Sequence, residues 1–503
     1  MFNLKRTFGI GLLLGIGFGK ELRAGSYGDI YGGHPAAAGM GSAVTAVVND
    51  SSAVFYNPAG LARLSEGDLI LASIERETRA NNVENSENKN IPRKTLPSAS
   101  TNDSVNQPTV AVEPWHKRFW ADTKEGFTKD VFRYKAAARP ERSVHEVSFQ
   151  YHHANPKSHT TAPQNQNITK IRDSFVGLGL TLNLNDMFDF GRGFRFGINA
   201  LVPGNGNLLT LNDQNPTVPR YLQQGIGNER PTIMGGLGLE IWKDRLFAGV
   251  GFTAIAGGSG SILMKDVPIS PDPVTANSQT ILTVKPLVNP TYGFQFSYGK
   301  FSLGASYKRE TVAQIDPVPA RAQTVLLGIQ LDFDLAILDG FNPRVFSYGF
   351  AFRPNDRLLL SFDVNREIWS RFKMSRIKEK YSEGFYLHDT TNFRLGAEYS
   401  VFKSLKTRIG FANKKTPLPA MPGANNWMDS DRNIFSLGFS YILSPNVFKF
   451  ANRLRKPMIF DVVISNHQLK AVQVDKYAPR ERNPNYSYGG YIWTIGVSMT
   501  LFF

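Results

Sequence analysis

The chain has 503 residues, 42% of them hydrophobic, with a mean hydropathy of -0.25, a net charge of +15 and no cysteine. It lacks any apolar run long enough for a membrane helix (roughly 18 residues), which excludes a helical bundle but not a barrel whose strands show every second residue to lipid. The missing cysteines exclude disulfides, thiolate metal sites, a thiol nucleophile and a lipid-modified N-terminus. The positive charge calls for anionic neighbours, but no basic helix or recognition motif points to nucleic acid.

Lys5 and Arg6 precede a short apolar stretch over 7–18, and Leu22-Arg23-Ala24 suits a cleavage site, so residues 1–24 read as a signal peptide. Residues 33–64 are rich in Gly, Ala and Ser and carry Asn57-Pro58-Ala59-Gly60-Leu61. Period-2 runs follow, the cleanest being Phe393–Tyr399, Leu405–Phe411 and Phe435–Tyr441. Strands are expected near 68–78, 172–184, 193–203, 231–242, 245–256, 286–299, 301–313, 343–354, 357–369, 391–401, 404–414, 433–443, 458–468 and 490–503. Short connections such as Lys243-Asp244 and Gly299-Lys300 alternate with long polar ones, the largest over 79–171. An even strand count and this asymmetry are those of an outer-membrane barrel. Two leftover β-like runs, 144–154 and 322–334, fit as extensions above the membrane; counting both in the ring would give sixteen strands.

The last strand alternates Tyr491, Trp493, Ile495, Val497, Met499, Leu501 and Phe503 on one face. In a soluble sandwich the large residues would turn inward, and in a barrel outward to lipid. The barrel reading puts Lys308, Asp363, Asn365, Arg394, Glu398, Arg408 and Asp461 in the lumen, as an ion network bracing the interior or, at Lys308 or Arg394, as a cation for a ligand carboxylate.

The small-residue segment with Asn57-Pro58-Ala59 and the C-terminal strand ending in Phe503 together resemble the two ends of the FadL/TodX family of outer-membrane transporters. Arg357–Phe372, Asn392–Tyr399 with Leu405–Phe411, and Asp429–Tyr441 are similar to further stretches of that family. The resemblance covers both ends and most of 343–443. It implies an all-β transmembrane antiparallel barrel of about fourteen strands (67–503), plugged by an N-terminal hatch (25–66) that carries the motif Asn57, Pro58, Ala59. It further implies transport of long-chain fatty acids or other hydrophobic compounds, including aromatic hydrocarbons, across the outer membrane of a diderm bacterium, with lateral release. Pro203 and Gly204 are then candidates for the lateral opening. Phe503 would be read by the barrel assembly machinery, lipopolysaccharide phosphates would meet the positive charge, and the protein would be a monomer. No cofactor or metal is expected.

The rivals are a general porin, a surface adhesin and an outer-membrane lipase. The porin lacks a reason for the small-residue plug. The lipase would need an inward Ser and His, for which His467 and Ser498 are available but no nucleophile elbow is present. His152-His153, read as a loop pair, have no metal-ligand spacing.

Overall fold

The computed structural model describes residues 30–89, 143–161, 173–188, 193–204, 220–221, 231–267, 277–324, 330–372, 387–418, 427–443, 456–476 and 485–503. The expected signal peptide and the first residues of the 25–66 segment lie outside them.

The described strands in chain order are β1 (Glu146–Thr160), β2 (Asp173–Asn183), β3 (Phe194–Pro203), β4 (Arg220–Tyr221), β5 (Thr232–Trp242), β6 (Leu246–Val267), β7 (Asn277–Tyr298), β8 (Phe301–Lys308), β9 (Thr311–Thr324), β10 (Gln330–Asn342), β11 (Arg344–Phe352), β12 (Leu358–Ile368), β13 (Thr390–Phe402), β14 (Leu405–Lys414), β15 (Trp427–Met428), β16 (Arg432–Leu443), β17 (Met458–Val474) and β18 (Tyr486–Phe502). Sixteen of them form one sheet, and the pairing of β6 with β7 closes it into a ring. β9 and β10 stand outside that ring, which leaves a closed antiparallel barrel of fourteen strands. β9 joins the long outer end of β6 through a parallel ladder, Ile262–Val267 against Ala320–Thr324. β4 and β15 form a separate two-stranded parallel pair.

The alternation reads as a membrane barrel reads. Along β18, Tyr491, Trp493, Ile495 and Val497 are exposed on the outer face, while Ile492, Thr494, Ser498 and Thr500 are buried inside. The same exposed rows run along β13 (Phe393, Leu395) and β16 (Phe435, Leu437, Phe439, Tyr441). A soluble sandwich would hide these residues; a lipid-facing wall presents them.

The count of fourteen is reached by an exchange. Residues 68–78 are not a strand but part of helix α3 (Glu66–Lys89). α3 follows two short plug helices, α1 (Pro35–Gly39) and α2 (Ala53–Tyr56). Its start is a reciprocal cap: Ser65 N and Oγ both donate to Asp68 Oδ2, and Asp68 N donates to Ser65 Oγ at 3.2 Å. With this cap and an acidic first turn, Leu69-Ile70-Leu71 begins a helix. The place in the ring is taken by 144–154, which forms β1 between β2 and β18. His152 and His153 therefore lie in a strand and not a loop, with His152 inward against the Tyr31 ring at 5.8 Å.

Nor is 79–171 one outer loop. Helix α3 starts beside Phe502 at the short-turn rim, and the chain is back at that rim at Val144, whose N–H donates to Asp68 Oδ1 at 3.0 Å. Expected loops over 257–285 and 314–342 are largely strand: β6 and β7 each run 22 residues, and β9–β10 is a hairpin. At the loop-side rim Glu310 binds Arg344 through two hydrogen bonds of 2.8 and 3.0 Å, and Arg371 at 2.8 Å.

Arg344 holds the Glu310 carboxyl down to about 2, below its ordinary 4.5. A depressed value means the stabilisation is complete above about 4.5 and is lost as pH falls toward 2. Pepsin cleavage around this corner should rise across that window in the wild type and be constitutively high, with no window, in Glu310→Gln. At the other rim Phe503 and His145 exchange backbone hydrogen bonds of 2.9 and 3.0 Å. Deleting Phe503 removes both, at about 1 kcal/mol each, and should reduce the folded band on a heat-modifiability gel; an unchanged folded fraction counts against this role for the last residue.

Candidate functional site

Residues 30–65 lie inside the ring and touch its inner face on all sides. The Asn57 motif shows why those residue types stand together. The Asn57 side-chain NH₂ donates to the carbonyl oxygens of Thr45 at 2.8 Å and of Phe294, in β7, at 2.9 Å. Its Oδ1 accepts from Ala59 N at 3.2 Å, capping the 3₁₀ helix Pro58–Ala62. Pro58 occupies the first helical position, where a missing N–H costs nothing. Asn57 is fully buried, so each of its polar atoms needs these partners. Ala59 and Gly60 are small for want of space: a Cβ on Gly60 would overlap the Val48 carbonyl.

The wall beneath is equally bare. Added Cβ atoms at Gly249 and Gly293 would collide with Pro58, Ala59 and Asn57, and at Gly304 with Thr45 and Ala46. Those at Gly396 and Gly410 would collide with Met40 and Gly41. Plug and barrel thus meet backbone to backbone. Gly41 and Ser42 turn there with φ of 61° and 60°, and Gly41 is pressed against Phe411 and Leu395 backbone atoms. No side chain fits the space, and glycine is the residue that adopts such a φ without strain.

Hydrogen bonds fasten this contact around the ring. Asp363 Oδ2 accepts from Thr45 N at 2.9 Å, Gln295 Nε2 donates to Thr45 O at 3.0 Å, and Ser306 Oγ donates to Tyr56 O at 2.8 Å. Ser51 N donates to Glu146 Oε1 at 3.2 Å, and Arg63 Nη1 to Gln295 Oε1 at 3.5 Å. Arg195 binds Asp68, tying the start of α3 to β3. A second network holds Arg408 between Glu398 (2.7 Å) and Asp461 (3.2 Å), with Ser440 beside them and Lys406 bridging Glu398 to Glu66 of α3 at 2.6 Å.

The two candidate cations face the lumen but do not share a site. Lys308 Nζ lies 4.0 Å from the centre of the Phe55 ring on the plug. Arg394 Nη1 reaches Ser42 O at 3.4 Å and lines a cavity of about 30 Å³ with Tyr31, Lys414 and His467. Their strands, β8 and β13, are separated by β11 and β12. Ser498 donates to Asp461, and its level on β17 is six residues from His467, about 20 Å along the strand. The lipase pair is therefore not assembled. Among the described residues no group of His, Asp and Glu is placed to hold a metal.

Pro203 and Gly204 end β3. Pro203 pairs with Phe175, and Gly204 N donates to Ser174 O at 2.8 Å, so the seam with β2 is closed to the top. The described ladder with β5 stops two residues lower, at Leu201 and Thr232. No break lies within the span of β3; its two candidate residues stand at the upper end of its seam with β5.

One feature of the lumen escaped the alternation argument. Above the plug, toward the loop rim, the inward residues turn apolar on one side of the ring, along β2, β3, β5 and β18. Phe175, Leu201, Met234, Ile492 and Tyr488 form one buried cluster with Met428 and with Tyr31 of the plug, while Glu367, Asn392, Lys414, Arg432 and His467 keep the opposite side polar. Along β3 the inward row reads Arg195, Gly197, Asn199, Leu201, Pro203, polar at the turn end and apolar at the loop end. That trend was present in the sequence.

A closed fourteen-strand barrel with a lipid-facing outer wall and a polar-fastened interior segment defines a plugged outer-membrane protein. Residues 292–448 match the family described as outer membrane protein transport protein (OMPP1/FadL/TodX). Over those residues the chain is similar to this family, and a closed barrel with a lipid-facing wall fits an outer-membrane location in a Gram-negative-type bacterium. Among solved structures it is similar to a Pseudomonas aeruginosa FadL homologue (14% identity, 93% of this chain and 97% of that one, TM-score 0.48). It is also similar to the toluene transporter TodX of P. putida (13% identity, 72% and 91%, TM-score 0.42) and to the CymD monoaromatic hydrocarbon channel (13%, 93% and 97%, TM-score 0.46). No curated protein matches in sequence.

Because the plug rests on bare backbone, Gly410→Val should displace it without breaking the ring. The barrel should still migrate as folded, while protease cuts within 30–65 increase several-fold. Unchanged protection would mean that the close approach at Gly41 is not what seats the plug.

Proposed function

We propose that this protein carries hydrophobic compounds, long-chain fatty acids or aromatic hydrocarbons, from the cell exterior into the outer membrane, with residues 25–66 acting as the movable hatch. The observation that supports this reading is the polarity step along one side of the lumen: an apolar face at the loop ends of β2, β3, β5 and β18, above a polar, hydrogen-bonded plug. An apolar solute settling against that face gains about 0.8 kcal/mol per buried methylene. Going deeper would take it among Asn199, Asp363 and Gln295, where it would strip partners from buried polar groups at about 1–3 kcal/mol each. That step favours sideways departure from the apolar face over passage straight down. The upper end of the β3–β5 seam, at Pro203 and Gly204 just beyond the described ladder, is the candidate place for such an exit. In this reading Lys308 or Arg394 meets a ligand carboxylate once the plug has shifted off it.

Asn57 couples plug to wall, so Asn57→Ala with Pro58→Ala should leave strand pairing intact and lower uptake. The measurement is entry of labelled oleate and of toluene into cells carrying wild type, the double variant or no protein. A fall toward the no-protein level is expected; equal uptake in all three removes the transport reading. Increased entry of small hydrophilic solutes through the wild type, relative to cells without it, would favour a porin instead.

A further inference from the structure

The positive charge of the chain is not spent evenly on the two rims. At the loop rim several described cations have a carboxylate partner, Arg344 and Arg371 at Glu310, Arg366 at Asp389 and Lys415 at Asp431, while Lys157 and Arg309 are exposed without an ion pair among the described residues. The short-turn rim differs. Four turns that follow one another around the ring, β5–β6, β7–β8, β11–β12 and β13–β14, carry Lys243, Arg245, Lys300, Arg353, Arg357 and Lys403 against two carboxylates, Asp244 and Asp356. Lys243, Arg353, Arg357 and Lys403 are exposed. Among the described residues no carboxylate forms an ion pair with Lys243 or Arg357, and Arg353 acts on the luminal Glu398 only at longer range.

These turns form one rigid arc. Backbone hydrogen bonds weld each to the next: Ser297 N to Arg245 O at 2.7 Å, Arg353 N to Lys300 O at 2.8 Å, and Ser400 N to Arg357 O at 2.9 Å. Lipid-facing aromatics flank the cations. Trp242, Tyr298 and Phe402 are exposed on the outer wall, and the Arg245 guanidinium lies 4.6 Å from the Trp242 ring centre and 5.6 Å from that of Tyr298. Aromatic residues in such a belt lie at headgroup level. Cations held beside them are at the depth of the phosphates, not out in water.

The geometry points to this arc as a binding site for anionic phospholipid headgroups of the inner leaflet. The shared chemistry is a phosphate monoanion, and the aromatic flank commits the source to a lipid, because a free phosphate would gain nothing from Trp242, Tyr298 and Phe402.

The full chain, in mixed micelles of phosphatidylglycerol and phosphatidylcholine in equal parts, is released in native mass spectrometry and the retained lipids are counted. Wild type should keep phosphatidylglycerol over phosphatidylcholine on the order of tenfold, since each surface cation favours an anionic headgroup several-fold. The preference should largely vanish at about 1 M salt, where the screening length is about 3 Å. It should be lost in the variant Lys300→Gln, Arg353→Gln, Arg357→Gln, Lys403→Gln, and be kept in the loop-rim control Arg366→Gln, Lys470→Gln. Equal retention of the two lipids by wild type, or a preference untouched by salt, overturns the site without any variant having to fold. So does a preference that survives in the folded quadruple variant. Binding of poly-glutamate without enrichment of phosphatidylglycerol would instead mark the arc as a protein-docking surface and overturn the lipid assignment.

Discussion

The distance between the plug backbone and the barrel backbone governs the rest of the molecule. It is too short to admit a Cβ at Gly249 and Gly293 on one side of the ring or at Gly396 and Gly410 on the other. Several of these glycines face one another across the ladder, as Gly238 does Gly249, Gly249 does Gly293, and Gly396 does Gly410. They clear a belt on an inner wall that is otherwise lined with side chains. The small residues of the plug, Ala43, Ala46, Ala59 and Gly60, answer the same requirement from the other side. Contact at that range lets wall side chains such as Asp363 and Gln295 reach plug backbone groups directly, which is why a segment with so little regular structure can be buried with its polar groups paired.

Much of this was legible in the sequence, for a physical reason. A barrel strand is a local, period-2 object, so the runs at 393–399, 405–411 and 435–441 could be assigned with their faces, and the inward positions of Asp363, Arg394, Glu398, Arg408 and Asp461 followed. The errors fell where local patterns compete. Leu69-Ile70-Leu71 suits strand or helix, and the cap formed by Ser65 and Asp68, two residues that were there to be read, decides for helix. At 144–154 the inward row is Glu146, Ser148, Gln150 and His152, all buried. That polarity resembles an exposed extension unless a polar plug is known to lie against it. Ring membership is a non-local property, and one misplaced strand moved the assignment of the whole stretch between 79 and 171 from one rim to the other. The cation arc was hidden for the same reason: its four turns are spread over 160 residues of sequence and become neighbours only when β9 and β10 leave the ring.

The two halves of the lumen differ in what holds them shut. In the turn-side half the plug is fastened by single hydrogen bonds and by the Arg408, Glu398 and Asp461 network. Each neutral bond there has a net worth of about 1 kcal/mol, because water can replace the lost partner once it gains entry. A shift of the plug that lets water follow it is therefore far less costly than the number of bonds suggests, whereas a shift into a dry space would leave buried groups such as Asn57 and Asp363 without partners. On the β2, β3, β5 and β18 side the loop-side half is held by apolar contact among Phe175, Leu201, Met234, Met428 and Tyr488, and water gives nothing back for separating these. An apolar molecule does, since it restores the contacts it displaces. The lower half thus yields to water and the upper half to hydrophobic solute, and Tyr31 belongs to both: its ring packs against Phe175 in the apolar cluster, with centres 5.2 Å apart, while its chain continues into the plug. On the transport reading proposed above, a solute that pushed Tyr31 aside would pull on the backbone that Asn199, Ser306 and Asn57 hold below, which would make entry above and loosening below parts of one displacement.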